Sequence, residues 1–115
     1  MSTQRHLPVE RESITKKLEL HKLECYVTVG FFEDGTPGEL FLTTNQMGTL
    51  ERGLFRALAI MISLALQHGV PMRHVTEKLK GITFEPSGLT KDPEIPMVKS
   101  LLDYLGQWLE RRFPQ

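Results

Sequence analysis

Sulfur is the scarcest chemistry in this chain. Cys25 is the one cysteine among 115 residues, which excludes an internal disulfide framework and a Cys-rich zinc site and fits a reducing compartment. Net charge is missing as well, because fourteen Lys and Arg balance fourteen Asp and Glu. A general nucleic-acid binder needs surplus cations to displace counterions from phosphates, so no nucleic-acid partner is expected. A local anion pocket stays open, and a chain without net charge lacks the self-repulsion that opposes association. Long apolar runs are also lacking. The longest, Leu58 to Leu66, is broken by Ser63 and falls far short of the ~20 residues that span a bilayer. The opening residues MSTQRHLPVE contain no apolar run, so neither a secretory signal nor a membrane partner is expected, and the expected location is cytoplasmic. The four histidines, His6, His21, His68 and His74, show no metal-ligand spacing, and no paired carboxylates or nucleophile–base pair is visible. Neither metal nor cofactor is therefore expected.

What is present suffices for one domain. With 40% hydrophobic residues, the chain can bury ~65% of its unfolded surface. Residues 1–21 are polar and without sustained period, which reads as an N-terminal arm, extended or loosely packed, with Pro8 opposing any helix. From Lys22 to Phe32 the chain alternates, with Leu23, Cys25, Val27, Val29 and Phe31 on one side, the period of a strand. The segment Glu33-Asp34-Gly35-Thr36-Pro37-Gly38 is dense in turn formers and precedes a β-rich run from Glu39 to Thr44. Together these predict an antiparallel hairpin.

Helical patterns follow. Between Leu50 and Gln67 apolar residues cover most of a helix circumference, and Arg52, Arg56, Ser63 and Gln67 form a polar stripe at spacings of four, seven and four. Such a helix needs cover on more than one side. A short second helix is expected over residues 71–80, closed by Gly81, and Ile82-Thr83-Phe84 is a brief strand or an extended link. A Pro-rich loop from Glu85 to Pro96 follows. A last amphipathic helix is expected from about Pro96 to Phe113, with Met97, Leu101, Leu102, Leu105, Trp108, Leu109 and Phe113 on its apolar face. The expected fold is α+β. An N-terminal antiparallel hairpin or sheet precedes a long buried helix, a short helix and a C-terminal amphipathic helix. Residues 22–115 form the single domain.

Two segments could hold a ligand. At Gly48-Thr49 the long helix begins, and a helix N-terminus presents free N–H groups and positive dipole charge to an anion. Arg52 and Arg56 lie on the following turns. The same Gly and Thr serve equally as ordinary capping residues. The second segment is the loop Glu85 to Thr90, where Ser87, Thr90 and Lys91 could meet a polar ligand, or where the prolines simply fix a rigid connection. Cys25, mid-strand on the apolar side, reads as core rather than as a reactive thiol.

The order of motifs is similar to that of a known family. Arg5-His6-Leu7-Pro8 with Arg11, Tyr26-Val27-Thr28-Val29-Gly30 and Glu33 through Phe41 resemble the start of the C-terminal, TSCPD-class domain of adenosylcobalamin-dependent ribonucleotide reductases. The likeness continues through Gly48-Thr49, Ser63 through Pro71, Phe84 through Gly88, Pro93-Glu94-Ile95, and Ser100 through Tyr104 into Trp108. The Thr-Ser-Cys-Pro-Asp run that names the class does not occur. The resemblance implies a reductase-related module, whereas the reductase reaction consumes two thiols and needs a large barrel. One sulfhydryl in a chain of this size cannot run it.

The expectation is thus a stand-alone, non-catalytic module that binds a nucleotide or other phosphorylated small molecule through Gly48, Thr49, Arg52, Arg56, Ser87 and Thr90. The breadth of the long helix's apolar surface points to a homodimer or higher homo-oligomer. Two alternatives are docking on a separately encoded ribonucleotide reductase subunit and sequestering a nucleotide signal.

Overall fold

In the computed structural model, which describes residues 3–45 and 48–114, three strands build one antiparallel sheet in the order β1-β2-β3. They are β1 (Ser13–Leu20), β2 (Leu23–Phe31) and β3 (Pro37–Thr44). The expected hairpin is β2–β3, paired from Cys25↔Thr44 to Gly30↔Glu39, with a register shift at Gly30/Phe31. β1 is an addition to it. Residues 13–20, expected within a loose arm, pair along their whole length with β2, from Ser13↔Gly30 to Leu20↔Leu23. Its Leu18 and Leu20 are wholly buried, and burying each stabilises the fold by about 1.5–3 kcal/mol. The β1–β2 connection is only His21-Lys22. His21 takes a positive φ of 58°, and its Nε2 lies 2.8 Å from the Ser87 carbonyl.

The residues before β1 are extended and tied down; Met1 and Ser2 of the expected arm lie outside the described residues. Arg5 N–H donates to the Gln67 carbonyl at 2.8 Å, and the Arg5 guanidinium sits 3.8 Å over the Phe32 ring. Arg11 grips the Glu39 carboxylate through Nε and Nη2, at 2.5 and 3.1 Å. That carboxylate lies across Gly30, where any Cβ would collide with it. The close approach explains a glycine near the end of β2.

One sheet face carries Cys25, Val27, Val29 and Leu40, all nearly inaccessible, and joins the core supplied by three helices. They are α1 (Thr49–Gln67), α2 (Met72–Leu79) and α3 (Leu101–Arg112). α1 buries Phe55, Ala59, Ile62 and Leu66, residues three and four apart on one face. α2 and α3 pack so closely at Gly106 that a Cβ there would stand 2.9 Å from both Leu79 Cβ and the Lys80 amide nitrogen.

The last helix starts later than its apolar period suggests. Met97–Val98 is a two-residue strand, β5, paired with β4 (Gly88–Leu89), and Met97 is exposed. Ser100 sets the start. Its Oγ accepts from Asp103 N–H at 3.0 Å and donates to the Ile82 carbonyl at 2.5 Å, a side-chain N-cap. Asp103, almost fully buried, accepts from the amides of Gly81 and Lys99, both at 2.8 Å, and from Gln107 Nε2 at 3.0 Å. It thereby fixes the extended link 82–84 against α3.

Candidate functional site

The polar stripe of α1 is explained by the edge of β3. α1 runs back along that strand, so Ser63 and Gln67 near its end face the beginning of β3. Leu40 N–H donates to Ser63 Oγ at 2.8 Å, and the same hydroxyl donates to the Leu40 carbonyl at 3.2 Å. Gln67 Nε2 donates to the Gly38 carbonyl at 3.0 Å. Residues alternate along an antiparallel ladder. Gly38, Leu40, Leu42 and Thr44 therefore turn their backbone groups away from β2, whereas Asn45 turns back and donates to the Glu24 carbonyl at 3.1 Å. α1 satisfies the Gly38 carbonyl and both backbone groups of Leu40. At Leu42 and Thr44 the outward groups have no partner among the described residues.

Beside that unfilled stretch stand Arg52 and Arg56, one helical turn apart and both exposed. Among the described residues neither forms an ion pair, whereas Arg5, Arg11 and Arg111 each do. Arg52 and Arg56 line a groove of about 690 Å³ with Phe41, Leu42, Thr43, Thr44, Ile60, Ser63, Leu64 and Gln67. Its volume lies within the range of small-molecule sites, and its apolar walls with a few directed polar groups match their usual make-up. Glu39, the one carboxylate among the described residues of the lining, is taken up by Arg11. The two α1 guanidiniums therefore leave the groove locally cationic in a chain of zero net charge.

The helix entrance itself is different. Gly48 is the N-cap without a side-chain cap bond. The Glu51 side chain folds back over it, its Oε1 2.6 Å from where a Gly48 Cβ would stand. The protein's own carboxylate thus already meets the positive end of the dipole, and Gly48 and Thr49 lie outside the groove lining. Ser87 and Thr90 are not brought to Arg52 and Arg56 either. Thr90 Oγ1 donates to the Ile95 carbonyl at 2.5 Å and accepts from Asp92 N–H at 3.1 Å. Ser87 Oγ donates to Glu85 at 3.3 Å while its carbonyl meets His21. Of the six candidate residues, the structure gathers Arg52 and Arg56. It adds Ser63, Gln67, Leu42, Thr43 and Phe41, whose part could be read only once β3 was known to be an edge.

Burial pushes the Cys25 thiol up to about 12, so it is a thiol and not a nucleophilic thiolate at neutral pH. Among the described residues no three His, Cys, Asp or Glu are placed to hold a metal ion. No helix among them is long and apolar enough to cross a membrane. The other large cleft, about 620 Å³ between the N-terminal segment and α3, mixes Glu10, Glu12 and Glu33 with Arg11 and Arg112, so it offers no charge of one sign.

Sheet, helices and groove define a small α+β module with a cationic cleft along a half-covered strand edge. The TSCPD domain family matches residues 3–113, and the chain belongs to that family. Among curated relatives it is 37% identical over 103 residues to a vitamin B12-dependent ribonucleotide reductase of Rhodopirellula baltica, covering 90% of this chain and 10% of the relative. Reductases of the same description from Streptantibioticus cattleyicolor and Agrobacterium fabrum are each 35% identical. They cover 95% and 86% of this chain but 18% and 8% of the relatives. The chain thus corresponds to a small part of these enzymes. No solved structure gives a significant match.

Proposed function

We propose that this chain is a non-catalytic, reductase-related binding module whose α1–β3 groove holds a nucleotide or another phosphorylated small molecule. One observation carries the reading: among the described residues, two guanidiniums without ion-pair partners stand beside an unfilled strand edge, in a groove whose one carboxylate is already taken up by Arg11. Guanidinium geometry suits phosphate oxygens, and Phe41, Ile60 and Leu64 supply apolar walls. A thermal-shift panel of nucleoside mono-, di- and triphosphates tests it. Ligand at a hundred times its Kd stabilises the folded state by about 2.7 kcal/mol. Arg52→Ala with Arg56→Ala removes the shift if the groove is the site, and a flat panel refutes the proposal.

A second reading concerns what covers α1. Its outward side exposes Leu50, Leu54, Ile60, Met61 and Leu64, at 72, 59, 50, 59 and 43% of their full surface. At about 100 Å² of apolar surface per aliphatic side chain, this leaves roughly 300 Å² of apolar face, part of it shared with the groove wall at Ile60 and Leu64, a size usual for the largest patch of a monomer and often functional. Gly53 and Ala57 lie on the same side and carry no bulk, and the face has no charge to oppose its own copy. A second copy related by a two-fold axis is the occupant this favours, with the burial doubled by symmetry. Light scattering should give twice the chain mass, and Met61→Glu should return it to one. A monomer that co-purifies with a separately encoded reductase subunit, whose relatives carry this domain as about a tenth of their length, would instead make the face a docking surface.

A further inference from the structure

We infer that the open half of the β3 edge reads the base of the bound nucleotide. The outward N–H and C=O of Leu42 pair with an adjacent acceptor and donor on the base, while Arg52 and Arg56 hold the phosphate. The inference rests on the proposal that the groove binds a nucleotide, and it assigns the recognition element within it.

The edge of β3 is divided in two. The Gly38 carbonyl and both Leu40 groups are closed by Gln67 and Ser63. Leu42 and Thr44 are open among the described residues, and both line the groove. Open strand edges usually invite another strand. Among the described residues two outward positions are available, and a strand of ordinary length, about five or six residues, would have to displace Ser63 and Gln67 from bonds already made. A planar heterocycle needs far less. One residue of an extended strand points its N–H and C=O the same way, and each nucleobase carries a neighbouring donor and acceptor on one edge.

The walls fit the same ligand. Phe41 is half exposed on the strand, and Ile60 and Leu64 are similarly exposed on the helix. All three line the groove, so a flat ring placed against the edge would cover apolar surface now facing water. The cations lie nearer the start of α1, beside the Leu42–Thr44 end of the strand. A ligand with an aromatic ring at one end and an anion at the other matches this division, and inorganic phosphate matches only half of it.

Titration of the full chain with the four common nucleoside monophosphates and with ribose 5-phosphate, followed by amide NMR and calorimetry, tests the assignment. The best monophosphate should bind at least about tenfold tighter than ribose 5-phosphate, the difference expected for losing a hydrogen-bonded, stacked ring. It alone should shift the Leu42 amide downfield. Phe41→Ala should weaken the nucleotide and leave ribose 5-phosphate unchanged, whereas Arg52→Ala should weaken both by a similar factor. Equal affinities with an unmoved Leu42 amide would overturn base reading and leave a phosphate site. No binding by any of the five, together with a flat thermal-shift panel of the di- and triphosphates, would overturn the nucleotide proposal along with it.

Discussion

Gly106→Ala is the sharpest test of the packing on which this fold depends. Gly106 lies inside α3, where alanine is intrinsically favoured over glycine by about 1 kcal/mol. The structure reverses that sign. An added Cβ would stand 2.9 Å from Leu79 Cβ, 2.9 Å from Lys80 N and 3.1 Å from Lys80 Cγ. Lys80 N is backbone and cannot rotate aside. It donates to the Thr76 carbonyl at 2.9 Å, closing α2, while its side chain bridges to Glu110 one turn beyond Gly106. Overpacking of this kind costs about 1–3 kcal/mol. With a backbone obstacle we take the upper end, so a net loss of about 2 kcal/mol remains after the helix-propensity gain. For a domain of this size that lowers Tm by about 8 °C. Gly53→Ala is the internal control, because nothing lies within 4 Å of its Cβ position. It should stabilise the isolated chain by about 0.5–1 kcal/mol. Urea melts of both variants decide the matter, and a Gly106→Ala protein as stable as the Gly53→Ala protein would refute the α2–α3 crossing.

Three further outcomes are expected. Ser100→Ala removes both the N-cap of α3 and the bond to the Ile82 carbonyl, so urea denaturation should show a loss of about 1–2 kcal/mol, and a neutral result would contradict the cap. Asp92 is pushed up by burial but held below its ordinary value by the Glu94 amide, the Tyr104 hydroxyl and Lys16. Its stabilisation is therefore present above the unfolded carboxyl pKa of about 3.9 and is lost as pH falls through the folded value. The stability gap between wild type and Asp92→Asn should accordingly narrow on acidification below about pH 4, and a gap constant with pH would contradict it. Cys25, buried and with its thiol pushed up to about 12, should resist alkylation by iodoacetamide at pH 8 until denaturant is added. Labelling at the rate of a free thiol would place it outside the core.

The sequence showed most where one period ran without interruption. β2 alternates cleanly from Leu23 to Phe31 and its turn is rich in Gly, Pro and Asp, so the hairpin was legible. β1 was not, because Lys16 interrupts its inward-facing row between Ile14 and Leu18 and its turn, His21-Lys22, contains no glycine or asparagine. The lysine is tolerated there because it reaches Asp92 at 3.6 Å. α3 was extended too far back because Met97 continues the apolar spacing, while the true signal was Ser100 followed by Asp103. At the candidate site, the stripe Arg52, Arg56, Ser63 and Gln67 was visible as a pattern. Its meaning depended on which strand of the sheet had a free edge, and on the half of that edge Ser63 and Gln67 leave open. Those are facts of tertiary pairing that no local window contains.

Calorimetric titration of wild type and of the Arg52→Ala, Arg56→Ala double variant with a nucleoside monophosphate tests the groove most directly. Wild type should bind one nucleotide per chain, with affinity falling as salt rises, and the double variant should lose at least about tenfold in affinity while its melting temperature without ligand stays unchanged. Equal binding by the two proteins, or none by wild type, would contradict the account.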